Sequence, residues 1–225
     1  RFRPGIDAGS AAFRAVVRAS VALLPGTVFV ALGPLVEQAI AASLERGTVS
    51  SLGYGNRIPA AISGVLVSAL GATVLPHFAV LLAQGDRAYC LHALRKLAAW
   101  LLGSGLVLGL ALALASEPVI RLVFERGAFD GASTLRVAPV QQAYFLQLPV
   151  AMVAMLGARA LAASGGHRQI SIVTAASIVL QLALAWTLGR RFGAAGIAWA
   201  ATLAMAAAAL GYYRASTRLL LPAAR

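Results

Sequence analysis

Acidic residues and cysteines are scarce in this sequence. Seven Asp and Glu stand among 225 residues, against 19 Lys and Arg. No two carboxylates are placed as a pair, so acid–base chemistry of the two-carboxylate kind is excluded. Cys90 is the single cysteine, which rules out an intrachain disulfide and a cysteine-built metal site. His77, His92 and His167 are scattered, with no two at ligand spacing, so no metal centre is expected. The HExxH, GxSxG and P-loop signatures are missing as well. Neither an enzyme nor a resident cofactor is expected.

What the sequence has in excess is hydrocarbon. Hydrophobic residues make up 60% and charged residues 12%, with a mean hydropathy of +0.83. A soluble domain is about 45–50% apolar and about 25% charged. The excess sits in long runs, the pattern of an all-α polytopic membrane protein. In a soluble protein a net charge of +12 would suggest nucleic acid. Here the arginines lie mostly between apolar runs, where they set topology, and no nucleic-acid partner is expected. The chain opens on Arg1 rather than Met, and no signal-peptide pattern precedes the first run, so a piece of a longer protein is expected.

Six spans are expected, at about 19–44, 48–78, 97–116, 137–163, 170–188 and 194–213. A basic juxtamembrane segment, 1–18, precedes them, and a basic tail, 214–225, follows. Residues 117–129 alternate apolar and charged side chains, which predicts a short interfacial helix closed by Gly127. Gly189 to Gly193 predicts a tight turn between the last two spans. Six spans put both termini on one side. Twelve of the 19 basic residues fall on that side and seven opposite, so the positive-inside rule places both termini in the cytoplasm.

The stretch from Leu52 to Pro76 sets an arginine, Arg57, at the head of an otherwise apolar segment flanked by Gly53, Gly55 and Pro59. An ionisable group in a span is costly and marks a functional site by default. Arg57, Ala61, Gly64, Ser68 and Gly71 fall on one helical stripe, whose small side chains leave room for a ligand. Pro59 removes the hydrogen bond to the Gly55 carbonyl, as in the interrupted helices of transporter sites. In the first span Pro25 and Pro34 predict a bend, and Gly26, Val30, Gly33 and Glu37 share one face. Glu37 is the one acidic residue within any span and should face the interior. Glu37 and Arg57 each lie roughly 12–15 Å from the turn that joins their helices. Two readings therefore stand: Arg57 binds a ligand, or it is neutralised in an ion pair with Glu37. Arg159 lies one turn from the end of its span, close enough to snorkel to water rather than touch a substrate. Gln181 is the strongly polar interior residue of the fifth span.

Leu52-Gly-Tyr-Gly-Asn-Arg57, followed by Gly64, Leu70, Gly71 and Leu75-Pro76, resembles the "YADRL…G…LG…LLP" helix of the MurJ/MviN lipid II flippases. Pro118 to Phe129 is similar to their "FGRGAF" segment, and Ala158 to Ala163 and Gly193 to Ala200 fit later family patterns. The family belongs to the MOP exporter superfamily, with two six-helix lobes around a central cavity. The resemblance implies that this chain is the second lobe and that an N-terminal lobe is missing. It implies alternating-access transport of an undecaprenyl-pyrophosphate-linked substrate, lipid II, across the bacterial inner membrane among membrane lipids. The open alternatives are another amphipathic substrate (an O-antigen lipid or a drug) and a diverged module that transports nothing. By the same resemblance Arg57 matches the cavity arginine that contacts pyrophosphate, with Asn56, Glu37 and Ser68 beside it as substrate-site candidates. Glu37 and Gln181 match positions of a sodium site, with Thr202 adjacent, leaving sodium or proton coupling open. The chain departs from the pattern at Asn56 (usually Asp), Ala60 (often Glu or Gln), and Ala185 and Ala201, which are usually polar.

Overall fold

One helix organises the others. In the structure, a computed structural model that describes residues 34–221 apart from Ala128, it is Gly131–Ala163. In chain order the elements are α1 (34–42 of the described residues), α2 (Thr48–Ala83), α3 (Arg87–Leu114), α4 (Ser116–Phe124), α5 (Gly131–Ala163) and α6 (His167–Leu220). All are helical. Four of them, α2, α3, α5 and α6, are long and apolar enough to cross a membrane. α5 carries the most buried residues and packs against α2, α3, α4 and α6.

In hydrocarbon there is no hydrophobic force between helices, so close packing and hydrogen bonds hold them together. Both are visible around α5. α3 offers it Leu101, Gly105, Gly109 and Ala113, buried at every fourth position, while the residues between are exposed apart from the half-buried Leu112. A Cβ on Gly109 would stand 2.7 Å from the Phe145 carbonyl oxygen, so the two backbones touch there. Across α5 and α6, Thr202 Oγ1 donates to the Ala143 carbonyl at 2.9 Å and Ser216 Oγ to that of Gly157 at 2.9 Å. Thr174 and Tyr212 join the two halves of α6 through their hydroxyls at 2.7 Å.

Several boundaries differ from the sequence reading. α2 runs through Pro59 and Pro76 to Ala83, past the exit expected at 78. Gly55 is buried against Val140 of α5, where a Cβ would come within 2.6 Å of Val140 Cγ1. Glycine there permits close approach; it does not interrupt the helix. α3 starts ten residues before its apolar run, because Asp86 caps it by accepting from the Tyr89 backbone N–H at 2.8 Å. Asp130 caps α5 in the same way. Hydrogen bonds from the Ser133 hydroxyl and backbone N–H, both at 2.8 Å, hold its carboxyl below the usual carboxylate range. Arg214 to Leu220, expected as a tail, continue α6 as helix, because Ser216 ties this turn to α5. The short helix expected in 117–129 is α4, which ends at Phe124, with Gly127 left-handed beyond it (φ 61°). Residues 1–18, Pro25, Gly26, Val30, Gly33 and 222–225 lie outside the described residues.

The expected turn between the last two spans is a single residue. α6 breaks at Gly193 (φ 57°, ψ −138°) into α6a (167–192) and α6b (194–220). That backbone conformation is open to glycine and strained for any L side chain. A Cβ at Gly193 would meet nothing within 4 Å, so the cost of adding one is conformational alone. Gly193→Ala is expected to destabilise the α6a–α6b hairpin by about 1–3 kcal/mol. Thermal unfolding of the purified full-length protein reads this as a lowered midpoint. An unchanged midpoint would mean that the break accepts a side chain.

Candidate functional site

Glu37 of α1, Asn56 and Ala60 of α2 and Tyr144 of α5 meet where two adjoining cavities, of about 420 and 510 Å³, share a wall. The smaller runs along α2 past Ser63, Gly64 and Val67, facing Gln147 of α5 and Gln181 of α6a. The larger opens beside the start of α2, where Arg57 and Gln38 border it. Asn56, Ala60, Ser63 and Val67, at i, i+4, i+7 and i+11, form one row of the α2 lining, with Pro59 and Gly64 beside them. Of the expected stripe, Arg57 and Gly64 reach the cavities, whereas Ala61, Ser68 and Gly71 do not. Ser68 lines neither cavity; Ser63 takes the place expected for it. The linings of α2 and α6b are bare at Ala60 and Ala201, two of the positions where the resemblance implies polar groups.

Glu37 and Arg57 both border the larger cavity. They do not pair. Among the described residues the ion pairs are those of Arg121 with Glu117 and Glu125. The Glu37 carboxylate accepts a hydrogen bond from Gln181 Nε2 at 2.8 Å, with the Tyr144 hydroxyl also beside it. A neutral donor, the Gln181 amide, thus serves the carboxylate in place of the guanidinium.

Arg57 is exposed and held from its own helix. Its guanidinium carbon sits 5.1 Å from the centre of the Tyr54 ring, three residues earlier, within cation–π range. The ring is itself fixed. Phe124 meets it edge-on at 5.4 Å and Phe129 at 5.2 Å, over the fully buried Ile120. The two stretches that carry the family resemblance, one on α2 and one on α4 and its exit, therefore touch through three aromatic rings. Sequence reasoning placed them separately and gave Tyr54 no role.

The remaining candidates divide. Gln181 joins Glu37. Thr202 does not: it is buried, and its hydroxyl donates to the Ala143 carbonyl at 2.9 Å and the Ala198 carbonyl at 3.1 Å. It clasps α6b to α5 and lines neither cavity. Among the described residues no three His, Cys, Asp or Glu gather as a metal site. Arg159 is half-buried and packs across α2, its Nη2 standing 3.2 Å from where a Gly71 Cβ would be. Tyr144, Gln147 and Ser63 were missed as site residues. One signal for two of them existed: Tyr144 and Gln147 are polar neighbours one turn apart on an apolar helix.

Known proteins place this arrangement. The family model for the lipid II flippase MurJ matches residues 2–225. A probable lipid II flippase MurJ of Rhizobium meliloti (strain 1021) is 32% identical over 163 residues, which is 72% of this chain and 30% of that protein. One of Helicobacter pylori (strain J99) is 27% identical over 172 residues, covering 76% of this chain and 37% of that protein. A solved structure of lipid II flippase MurJ in an inward closed conformation superposes with a TM-score of 0.77 at 21% identity. That match covers 96% of this chain and 45% of the solved one, so the fold is shared over nearly the whole length. The chain spans less than half the length of each protein it resembles. With a family match running from its second residue to its last, this chain belongs to the lipid II flippase MurJ family.

Proposed function

We propose that this chain is the second six-helix lobe of a lipid II flippase and that Arg57 is its contact with the substrate pyrophosphate. One observation carries the reading: Arg57 is exposed at the edge of a cavity and, among the described residues, has no carboxylate within 4.0 Å. A cation left unpaired in a membrane protein is costly unless a ligand or water completes it. A guanidinium offers a planar fork of donors that matches phosphate oxygens two at a time. Asn56 and Ser63 add neutral donors along the same wall, and Ser63 replaces Ser68 in this role. The bare methyl of Ala60 leaves room for a headgroup.

In this reading the full-length protein works by alternating access in the bacterial inner membrane, as a transporter and not an enzyme. The missing N-terminal lobe supplies the facing wall, and both termini of this segment lie in the cytoplasm. Coupling to sodium or protons would act through Glu37 and Gln181. A sodium ion asks for several oxygens, and with Ala185 and Ala201 bare and Thr202 bonded to carbonyls, the site favours a proton carried by Glu37.

Depleting the full-length protein in its host is the test. Accumulation of the peptidoglycan lipid precursor on the cytoplasmic side, followed by lysis, is expected. Loss of O-antigen or of drug resistance with intact walls would transfer the reading to another export substrate. Ala60 and Ala201 on the cavity wall favour a second reading, a diverged module that moves nothing. Depletion without any effect on walls or export would support it.

A further inference from the structure

We propose a separate site for an anionic phospholipid headgroup in a pocket of about 460 Å³ between the end of α2 and the start of α3. Its walls are His77 and Phe78 of α2 with Tyr89, His92, Lys96 and Trp100 of α3. None of these residues lines the central cavities, so the site is independent of what passes through the lobe.

Depth comes first. The apolar run of α3 from Leu97 to Leu114 has 18 residues and measures about 27 Å, close to the roughly 30 Å of a hydrocarbon core. Leu97 thus marks the core boundary. Lys96 sits at that boundary, His92 and Tyr89 stand one and two turns outside it, and Trp100 one turn inside. This is the order in which a phospholipid presents its phosphate and its acyl chains. Tryptophan at the boundary and lysine just outside are also the side chains that such an interface favours.

Charge is the second argument. Lys96 is a fixed cation, and the imidazoles of His77 and His92 offer N–H donors toward the same space. No carboxylate lines the pocket. Asp86 is the nearest described acid in the chain, and it is spent on capping α3 through the Tyr89 backbone N–H. Among the described residues no ion pair involves Lys96. His77, Tyr89, His92, Lys96 and Trp100 are all exposed, while Phe78 and Leu94 behind them are fully buried and give the pocket a firm floor. A basic, aromatic-edged pocket between spans at headgroup level is built for a phosphodiester with net negative charge.

Native mass spectrometry of the detergent-purified full-length protein tests this by counting retained lipid. Titrations use phosphatidylglycerol, phosphatidylcholine and soluble glycerophosphoglycerol in separate arms. Phosphatidylglycerol is expected to be preferred over phosphatidylcholine, and Lys96→Gln to reduce that preference about fivefold, the effect of one cation near an anionic surface. Lys96→Arg is expected to keep the preference, which separates loss of charge from loss of fold. Three results would overturn the site. One is an unchanged preference in Lys96→Gln. Another is an equal loss for both lipids, which would mean a merely apolar contact. The third is glycerophosphoglycerol binding as tightly as the intact lipid, which would make it a site for free phosphates.

Discussion

Replacing Arg57 with alanine in the full-length protein is expected to lower lipid-precursor translocation by roughly tenfold to a hundredfold. Hydrogen bonds to charged groups are worth about 1.5–3 kcal/mol, and each 1.4 kcal/mol is a factor of ten. Arg57→Lys keeps the charge but gives up the two-pronged donor geometry and the flat stacking surface over Tyr54. It should recover part of the loss and remain about tenfold below the natural protein. The measurement is the outward appearance of lipid precursor in cells that depend on the variant, with the amount of folded protein in the membrane held equal. Arg57 is exposed and its nearest described partner is a ring, so neither change should unfold the lobe. Normal transport in both variants would remove Arg57 from the substrate site.

The second large effect is one of packing. Gly109→Ala puts a methyl 2.7 Å from the backbone oxygen of Phe145, closer than real Cβ contacts come, and backbone cannot swing aside. Separating α3 from α5 to admit it disturbs the helix around which the lobe is assembled. A destabilisation of about 1–3 kcal/mol is expected, as for other overpacked interiors. Gly103→Ala provides the control on the same helix: a Cβ there meets nothing within 4 Å and the position is exposed. Thermal unfolding of the two purified variants should show a lower midpoint for Gly109→Ala and little change for Gly103→Ala. Equal midpoints would falsify the close α3–α5 contact.

These two cases differ in how far the sequence alone could have foreseen them. Arg57 announces itself, because a guanidinium at the head of an apolar run is conspicuous against hydrocarbon. Gly109 does not. It is one of 22 glycines, and Gly103, six residues earlier, looks the same in the sequence while facing outward. α3 is apolar on every side, because lipid and neighbouring helices are equally acceptable to a leucine or a glycine. The periodicity that tells the inside from the outside of a soluble helix is therefore weak. The same weakness explains why Ser68 was expected on the cavity while Ser63 lines it.

The sequence by itself determined the class of this protein: an all-helical membrane lobe, its turns near 45–47 and 189–193, the short helix α4, and Arg57 and Glu37 as its exceptional charges. Composition and run length suffice for these, since charge and hydrocarbon separate strongly in a bilayer. Only the tertiary structure decided the partners. Glu37 turns to Gln181, 144 residues away, and leaves Arg57 free. Arg57 rests on Tyr54, which Phe124 and Phe129 hold from a distant turn. Thr202, which stands beside the cation positions in sequence, gives its hydroxyl to the α5 backbone. Each choice depends on how far a helix is rotated about its own axis. That rotation is fixed by which backbones can approach closely, and no single helix carries the information.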